Sequence, residues 1–210
     1  MKQSVLDIVI CPDCGGGDLI LDAINVVDLE VIDGRVLCQG CTRWFRVEGG
    51  VLDLLPADLR REHFYIEFSR RYGFYYIPSS LKGESQKLEQ ITFFAADADI
   101  YDADITDSPY YHVLDATVVL PWVERNIESG MRILEVGCGT GRQCKLLASR
   151  SDDVVSLDIS EEMLRVAFKN LSNEGLTGAV NLIAADAERL PFKAQTFDGG
   201  LIVGTLHHVS

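Results

Sequence analysis

Four cysteines stand in two pairs, Cys11-Pro12-Asp13-Cys14 and Cys38-Gln39-Gly40-Cys41, giving the pattern C-x2-C-x23-C-x2-C. Each two-residue spacer aims two sulfurs and neighbouring amides at one point, so two such knuckles let four thiolates meet one tetrahedral ion. Gly15 and Gly40 supply the tight backbone that this needs. Two disulfides, or four unrelated thiols, are the plainer alternatives; a reducing compartment argues against the disulfides. The spacing predicts structural zinc on Cys11, Cys14, Cys38 and Cys41. Four thiolates leave no open position, so such a site holds the fold and performs no reaction.

A second constellation follows the apolar run Met131–Val136: Glu135-x-Gly137-x-Gly139-x-Gly141. Glycines here let the backbone turn sharply from strand to helix and let a ligand press against bare main chain. Asp158 ends the next apolar run, where a carboxylate accepts the hydroxyls of a ribose, and Asp186 lies just past the third, where it could receive the amine of an adenine. A glycine turn alone also serves packing, and an aspartate past a strand also caps a helix. The nicotinamide fingerprint G-x-G-x-x-G fails, because its last position falls on Arg142, and no x-G-K-[ST] sequence offers a P-loop. His207 and His208 follow the fourth strand pattern, where they could orient an acceptor, act as base, or merely be solvated.

The elements that must carry these residues divide the chain into 1–56, 57–107 and 108–210. The first part has short β-like runs (Leu19–Val31, Val36–Leu37, Trp44–Val47) with turn signals at Gly15-Gly16-Gly17, Asp33-Gly34 and Gly49-Gly50. About 56 residues build little core and need a staple. In the second, Arg60–Tyr72 and Ser85–Ala96 have helical character, and Asp97–Asp107 is an acidic stretch. The aromatics Phe64, Tyr65, Phe68, Tyr72, Phe74, Tyr75 and Tyr76 could line an apolar pocket or simply pack their helix.

The third part alternates strand and helix, which predicts an α/β parallel sheet. Ser108-Pro109 reads as a helix start, with Pro121 breaking or restarting the helix. Strands are expected at Met131–Val136, Val154–Leu157, Val180–Ala184 and Leu201–Val203. Gln143–Ser149 is a short helix, and a longer one begins at Ser160, with Glu161 and Glu162 in its first turn and Gly175 at its end. Cys138 and Cys144 read as small buried fillers.

Hydrophobic residues make up 47% of the 210, enough for a packed core. No apolar run reaches the roughly 18 residues of a membrane span, and the first residues are too short and acidic a stretch for a signal peptide, so a cytoplasmic location is expected. A net charge of −13, with no gathering of Lys and Arg, argues against nucleic acid as partner.

Residues 1–56, from Ile8-Val9-Ile10 through Trp44-Phe45-Arg46-Val47 to Gly49-Gly50-Val51-Leu52-Asp53-Leu54-Leu55, resemble the Trm112-like zinc-ribbon family, whose members activate or accompany methyltransferases. From about 110 onward four motifs occur in order: Glu135 to Gly141, Ser156-Leu157-Asp158-Ile159-Ser160, Ala184-Ala185-Asp186-Ala187 through Phe197-Asp198, and Leu206-His207-His208-Val209. Together they resemble the class I S-adenosylmethionine-dependent methyltransferases, in the branch that includes quinone-biosynthesis enzymes. The resemblance implies a Rossmann-like sheet behind a small zinc-ribbon β domain. It also implies that Gly137, Cys138, Gly139 and Gly141 frame the methionine end of S-adenosylmethionine, with Glu135 orienting the loop. Asp158 and Ile159 would hold the ribose, Asp186 and Ala187 the adenine, and Thr205 would lie beside the cofactor.

A complete fold of that kind has seven strands, and this chain stops just past the fourth. A truncated product is therefore expected, with an unpaired apolar edge at Phe197–Val203 that could receive a protein partner or a second copy. The function expected is methyl transfer to a small-molecule acceptor. The alternatives are a non-catalytic partner module with a vestigial cofactor fold, and an RNA methyltransferase.

Overall fold

A computed structural model describes residues 1–16, 18–60, 85–106 and 108–209. The expected helix Arg60–Tyr72 and the aromatics Phe64 to Tyr76 lie outside the described residues, apart from Arg60 itself.

The first two strands, β1 (Leu19–Val27) and β2 (Glu30–Cys38), form a hairpin whose two-residue turn is Asp28-Leu29. Both turn residues have positive φ, as a two-residue turn matched to strand twist requires. The sequence favoured Asp33-Gly34 for that turn. Gly34 instead sits within β2, opposite Ala23, where a Cβ would come 2.9 Å from the Asp22 carbonyl oxygen. Close approach of two backbones, not a turn, is what uses the missing side chain. β3 (Trp44–Glu48) and β4 (Val51–Asp53) form a second hairpin across Gly49-Gly50, again both at positive φ.

The next strands are β5 (Arg132–Val136), β6 (Asp153–Asp158), β7 (Val180–Ala184) and β8 (Gly199–Ile202). All eight form one sheet in the order β1-β2-β3-β4-β7-β6-β5-β8. The join is parallel, pairing Val51 with Leu182 and Asp53 with Ala184. The cysteine-bearing ribbon thus continues the sheet. From β4 to β8 all pairs are parallel, so five C-terminal strand ends share one rim, where ligands of open α/β sheets bind. Gly199 lies opposite Ile133, and a Cβ there would meet the Ile133 Cδ1 at 3.4 Å.

Helix α1 (Ser85–Thr106) runs straight through the acidic stretch that the sequence left unassigned. α2 (Pro109–Leu114) and α3 (Leu120–Asn126) are joined by a π-helical turn at Asp115–Val119. Pro121 therefore does not break the helix. The wider turn before it bonds the Leu120 amide to Asp115 O, so the proline's missing N–H is accommodated where the ladder is already offset.

α4 (Arg142–Ala148) leaves the glycine loop, and α5 (Glu161–Asn173) follows β6. Ser160 caps α5, its Oγ accepting from the Met163 amide at 3.3 Å. At the far end Gly175 is at positive φ while the Leu176 amide bonds Leu171 O, closing the helix.

The two faces of the sheet are covered differently. Val123, Ile127, Leu147, Leu164 and Leu171 of the helical layer pack with Ile133, Val154 and Leu182 on one side. On the other, Val5, Ile8 and Val9 from the chain start pack with Phe45, Val155, Leu157 and Ile183, and Cys11 and Cys38 belong to this second core. Among the described residues, no helix is long and apolar enough to cross a membrane.

Candidate functional site

At the rim, β5 ends in a loop that needs glycine at three positions with positive φ: Gly137, Gly139 and Gly141. A Cβ on Gly137 would fall 2.0 Å from Thr205 Oγ1, so the loop after β8 lies directly against it. A Cβ on Gly139 would meet only Tyr101, at 3.8 Å; this residue faces open space. Gly141 begins α4 with its Cα side against Ala167.

A cavity of about 340 Å³ opens beside this loop, at the small end of ligand pockets. Its walls include Gly137, Cys138, Gly139, Asp158, Ile159, Asp186, Ala187, Thr205, His207 and His208. Glu135 and Gly141 are not in the wall. Glu135 is buried below it, accepting from Ser156 Oγ at 2.8 Å, and burial pushes its carboxyl up. Ser156 in turn accepts from the Cys144 thiol at 3.2 Å, so Cys144 is a donor as well as a filler.

Asp158, at the end of β6, is fixed by main-chain donors. Its Oδ2 accepts from the Gly139 amide at 2.9 Å and its Oδ1 from the Ser160 amide at 2.9 Å. Burial raises its pKa, and those amides oppose the rise. The Ile159 amide acts in the same sense, and of about four acceptor sites these donors leave capacity for a ligand hydroxyl. Asp186 differs. Each of its oxygens already has two partners: Lys87 Nζ at 3.0 Å and the Glu188 amide at 3.0 Å on Oδ1, Lys87 Nζ at 2.9 Å and Arg189 Nε at 2.8 Å on Oδ2. Burial raises its carboxyl, but Arg189 and Lys87 outweigh this and hold it below the usual range.

The sequence pointed to the 57–107 segment, with Ser85–Ala96 helical, but singled out no residue of the helix that closes this cavity. Lys87, Gln90, Phe94, Tyr101 and Ile105 of α1 line its mouth, at spacings of three, four and seven that put them on one helical face. That periodicity was the available signal, and mixed charge along α1 obscured it. Asp102 of α1 accepts from Thr140 in the glycine loop and from Asn170 of α5, pinning the helix in place. Arg142 pairs with Asp115 and lies over the ring of Tyr111. Gln90 Nε2 is 3.0 Å from His208 Nδ1, so the amide donates and the ring proton belongs on Nε2. Burial, then His207, lowers the His208 pKa. The two imidazoles lie 3.8 Å apart, and Phe94 meets His208 edge-on at 5.6 Å.

The four knuckle sulfurs all lie within 4.8 Å of one another, with Cys11–Cys41 at 3.6 Å and Cys14–Cys38 at 3.7 Å. Four thiolates on one tetrahedral zinc would stand about 3.8 Å apart, so the donor set fits that ion. Burial alone would raise Cys38, yet the Cys41 and Gly40 amides bring it down to about 7. Asp13, inside the first knuckle, accepts from the Ala57 amide at 2.8 Å and pairs with Arg60 at 2.8 Å, tying the knuckle to the segment after β4.

Residues 133–210 match the methyltransferase domain family. This match covers the glycine loop, Asp158, Asp186 and both histidines. The chain is 39% identical over 87 residues to the ubiquinone/menaquinone biosynthesis C-methyltransferase UbiE of Pseudomonas paraeruginosa, covering 40% of this chain and 34% of that protein. To the protein of the same name from Bordetella parapertussis it is 33% identical over 137 residues, covering 63% of this chain and 50% of the other. The chain thus spans a third to a half of these relatives. A SAM-dependent methyltransferase of Aquifex aeolicus is a structural neighbour, at TM-score 0.44 and 23% identity, covering 51% of this chain and 59% of that one.

Proposed function

We propose that the rim cavity binds S-adenosylmethionine and that the protein transfers its methyl group to a small-molecule acceptor. The observation that carries this reading is Asp158: a carboxylate at a strand end, aligned by the Gly139 and Ser160 amides, with acceptor capacity left for the ribose. The bare edge at Gly139 would receive the methionine end, and Ala187 would flank the adenine.

The sulfonium supplies an already activated methyl group, so the chain's own residues have to position the acceptor and exclude water. α1 and the Thr205–His208 segment enclose the space for this. His208, kept neutral with its proton on Nε2, is oriented by Gln90. With Nδ1 engaged by Gln90 and Nε2 protonated, it is a donor to an acceptor oxygen before it is a base. His207 takes the base role where the acceptor must lose a proton. Zinc on Cys11, Cys14, Cys38 and Cys41 is the structural half of the proposal, supported by the sulfur spacing.

Calorimetric titration of S-adenosylhomocysteine into the full chain tests the reading, with Asp158→Ala as control. Micromolar binding that the substitution weakens at least about 100-fold, the scale of losing two charge-assisted hydrogen bonds, is expected. No binding by folded wild-type protein would overturn it.

A further inference from the structure

Asp186 is saturated in this structure, although on the reading above it should be the residue that greets the adenine amine. A carboxylate offers about four acceptor sites, and Lys87, the Glu188 amide and Arg189 use them all. Two of these partners are local. The Glu188 amide is part of the same turn and cannot leave without unmaking it, while Arg189, three positions along, reaches Oδ2 with a guanidinium that Asp58 also holds. Lys87 comes from α1, 99 positions away in sequence, and reaches Asp186 only by the end of a flexible side chain.

We propose that Lys87 occupies the place of the adenine amine at Asp186, so that the cofactor must displace it and α1 thereby sets both cofactor affinity and the choice of base. This rests on the cofactor assignment made above.

The exchange has a ready geometry. Lys87 Nζ is also 2.7 Å from a Glu188 carboxylate oxygen, which is more open to solvent than Asp186, at 27% against 2%. When the adenine amine takes the Asp186 oxygens, the ammonium keeps its ion pair by turning toward Glu188. Nothing else in α1 has to move, because Asp102 still holds Thr140 and Asn170, and Gln90 still holds His208. The amine replaces one of the two Lys87 bonds, and the Glu188 amide and Arg189 stay on Oδ1 and Oδ2, so no buried acceptor is stranded. A base with a carbonyl in place of the amine cannot make this exchange. It presents an acceptor to an acceptor, and only by keeping Lys87 between them could it be tolerated.

The test is calorimetry on the zinc-replete full chain, wild type and Lys87→Met, with S-adenosylhomocysteine and S-inosylhomocysteine as probes. Removing the latch should tighten S-adenosylhomocysteine binding about tenfold, as for a site blocked in about nine molecules of ten. S-inosylhomocysteine should gain nothing, so the discrimination between the bases widens, which a merely structural lysine would not cause. A second variant, Glu188→Gln, takes away the resting place of Lys87 and should weaken S-adenosylhomocysteine binding several-fold, so the idea stays open to refutation should Lys87→Met fold poorly. Binding by both proteins with equal or weaker affinity in Lys87→Met refutes the latch and leaves the cofactor assignment standing. Absence of binding in every folded protein refutes the assignment, and the latch with it.

Discussion

Gly137→Ala should be among the most damaging single substitutions in the chain, and its cost can be divided. The new Cβ would stand 2.0, 2.3 and 2.5 Å from Oγ1, Cγ2 and Cβ of Thr205. Thr205 cannot simply rotate away, since its Oγ1 donates to Gly137 O at 3.2 Å. Overpacking of this kind costs about 1–3 kcal/mol. Holding an alanine at the positive φ of this position adds about 1–2 kcal/mol, independent of any neighbour. The total, about 2–5 kcal/mol, is a large part of a small protein's stability. Adding Thr205→Gly should return the overlap share and leave the backbone share. Urea unfolding of wild type, both single variants and the double variant reads this as a coupling of about 1–3 kcal/mol. Additivity to within about 0.5 kcal/mol would mean that the segment after β8 does not press on the glycine loop, and the placement of His207 and His208 would fall with it.

Other expectations are as direct. Asp53 is buried at the end of β4, and burial together with nearby Glu161 lifts its carboxyl to about 6. A folded value raised above the unfolded one of about 3.8 favours the fold at low pH, and that advantage is lost as pH rises through about 4 to 6. Asp53→Asn keeps the bond from the Leu55 amide and should therefore raise the unfolding free energy read from urea titration at pH 7.5 by up to about 3 kcal/mol, with the gap closing near pH 4. Lower stability of the variant at pH 7.5 would show that Arg46 and Arg60 outweigh burial. Elemental analysis should find one zinc per chain, and its removal by a chelator should lower the melting temperature; metal-free protein of unchanged stability would refute the structural role. Ser160→Ala removes the cap of α5 and should cost about 1 kcal/mol in urea unfolding, with no loss if the Met163 amide finds water instead.

What could be read from the sequence was what lies close together in it. The knuckles and the glycine loop declare themselves because a few residues at fixed spacing already define the local geometry. The strand ends carrying Asp158 and Asp186 follow from apolar runs of strand length. Two features were hidden by distance. Nothing in Val51-Leu52-Asp53 announces a parallel partner in Leu182-Ile183-Ala184, and nothing in Lys87 points to Asp186. Pro121 and Asp33-Gly34 misled for a different reason. Each carries a strong local signal that tertiary context overrode: a π-helical turn absorbs the proline, and a close backbone crossing uses the glycine.

The shared sheet also sets a timetable for synthesis. β1 to β3 pair within their own neighbourhood and can form as soon as they leave the ribosome. β4 pairs with β3 as early, but its outer edge must wait for β7, roughly 130 residues later, which at about 5–20 residues per second is on the order of ten seconds. Throughout that interval one edge of the nascent ribbon has no partner, in the window when strand edges stick to whatever passes. The nascent chain should therefore lean on chaperones until residue 184 is out, and slowing translation between residues 54 and 180 should lower the yield of soluble protein more than slowing it afterwards.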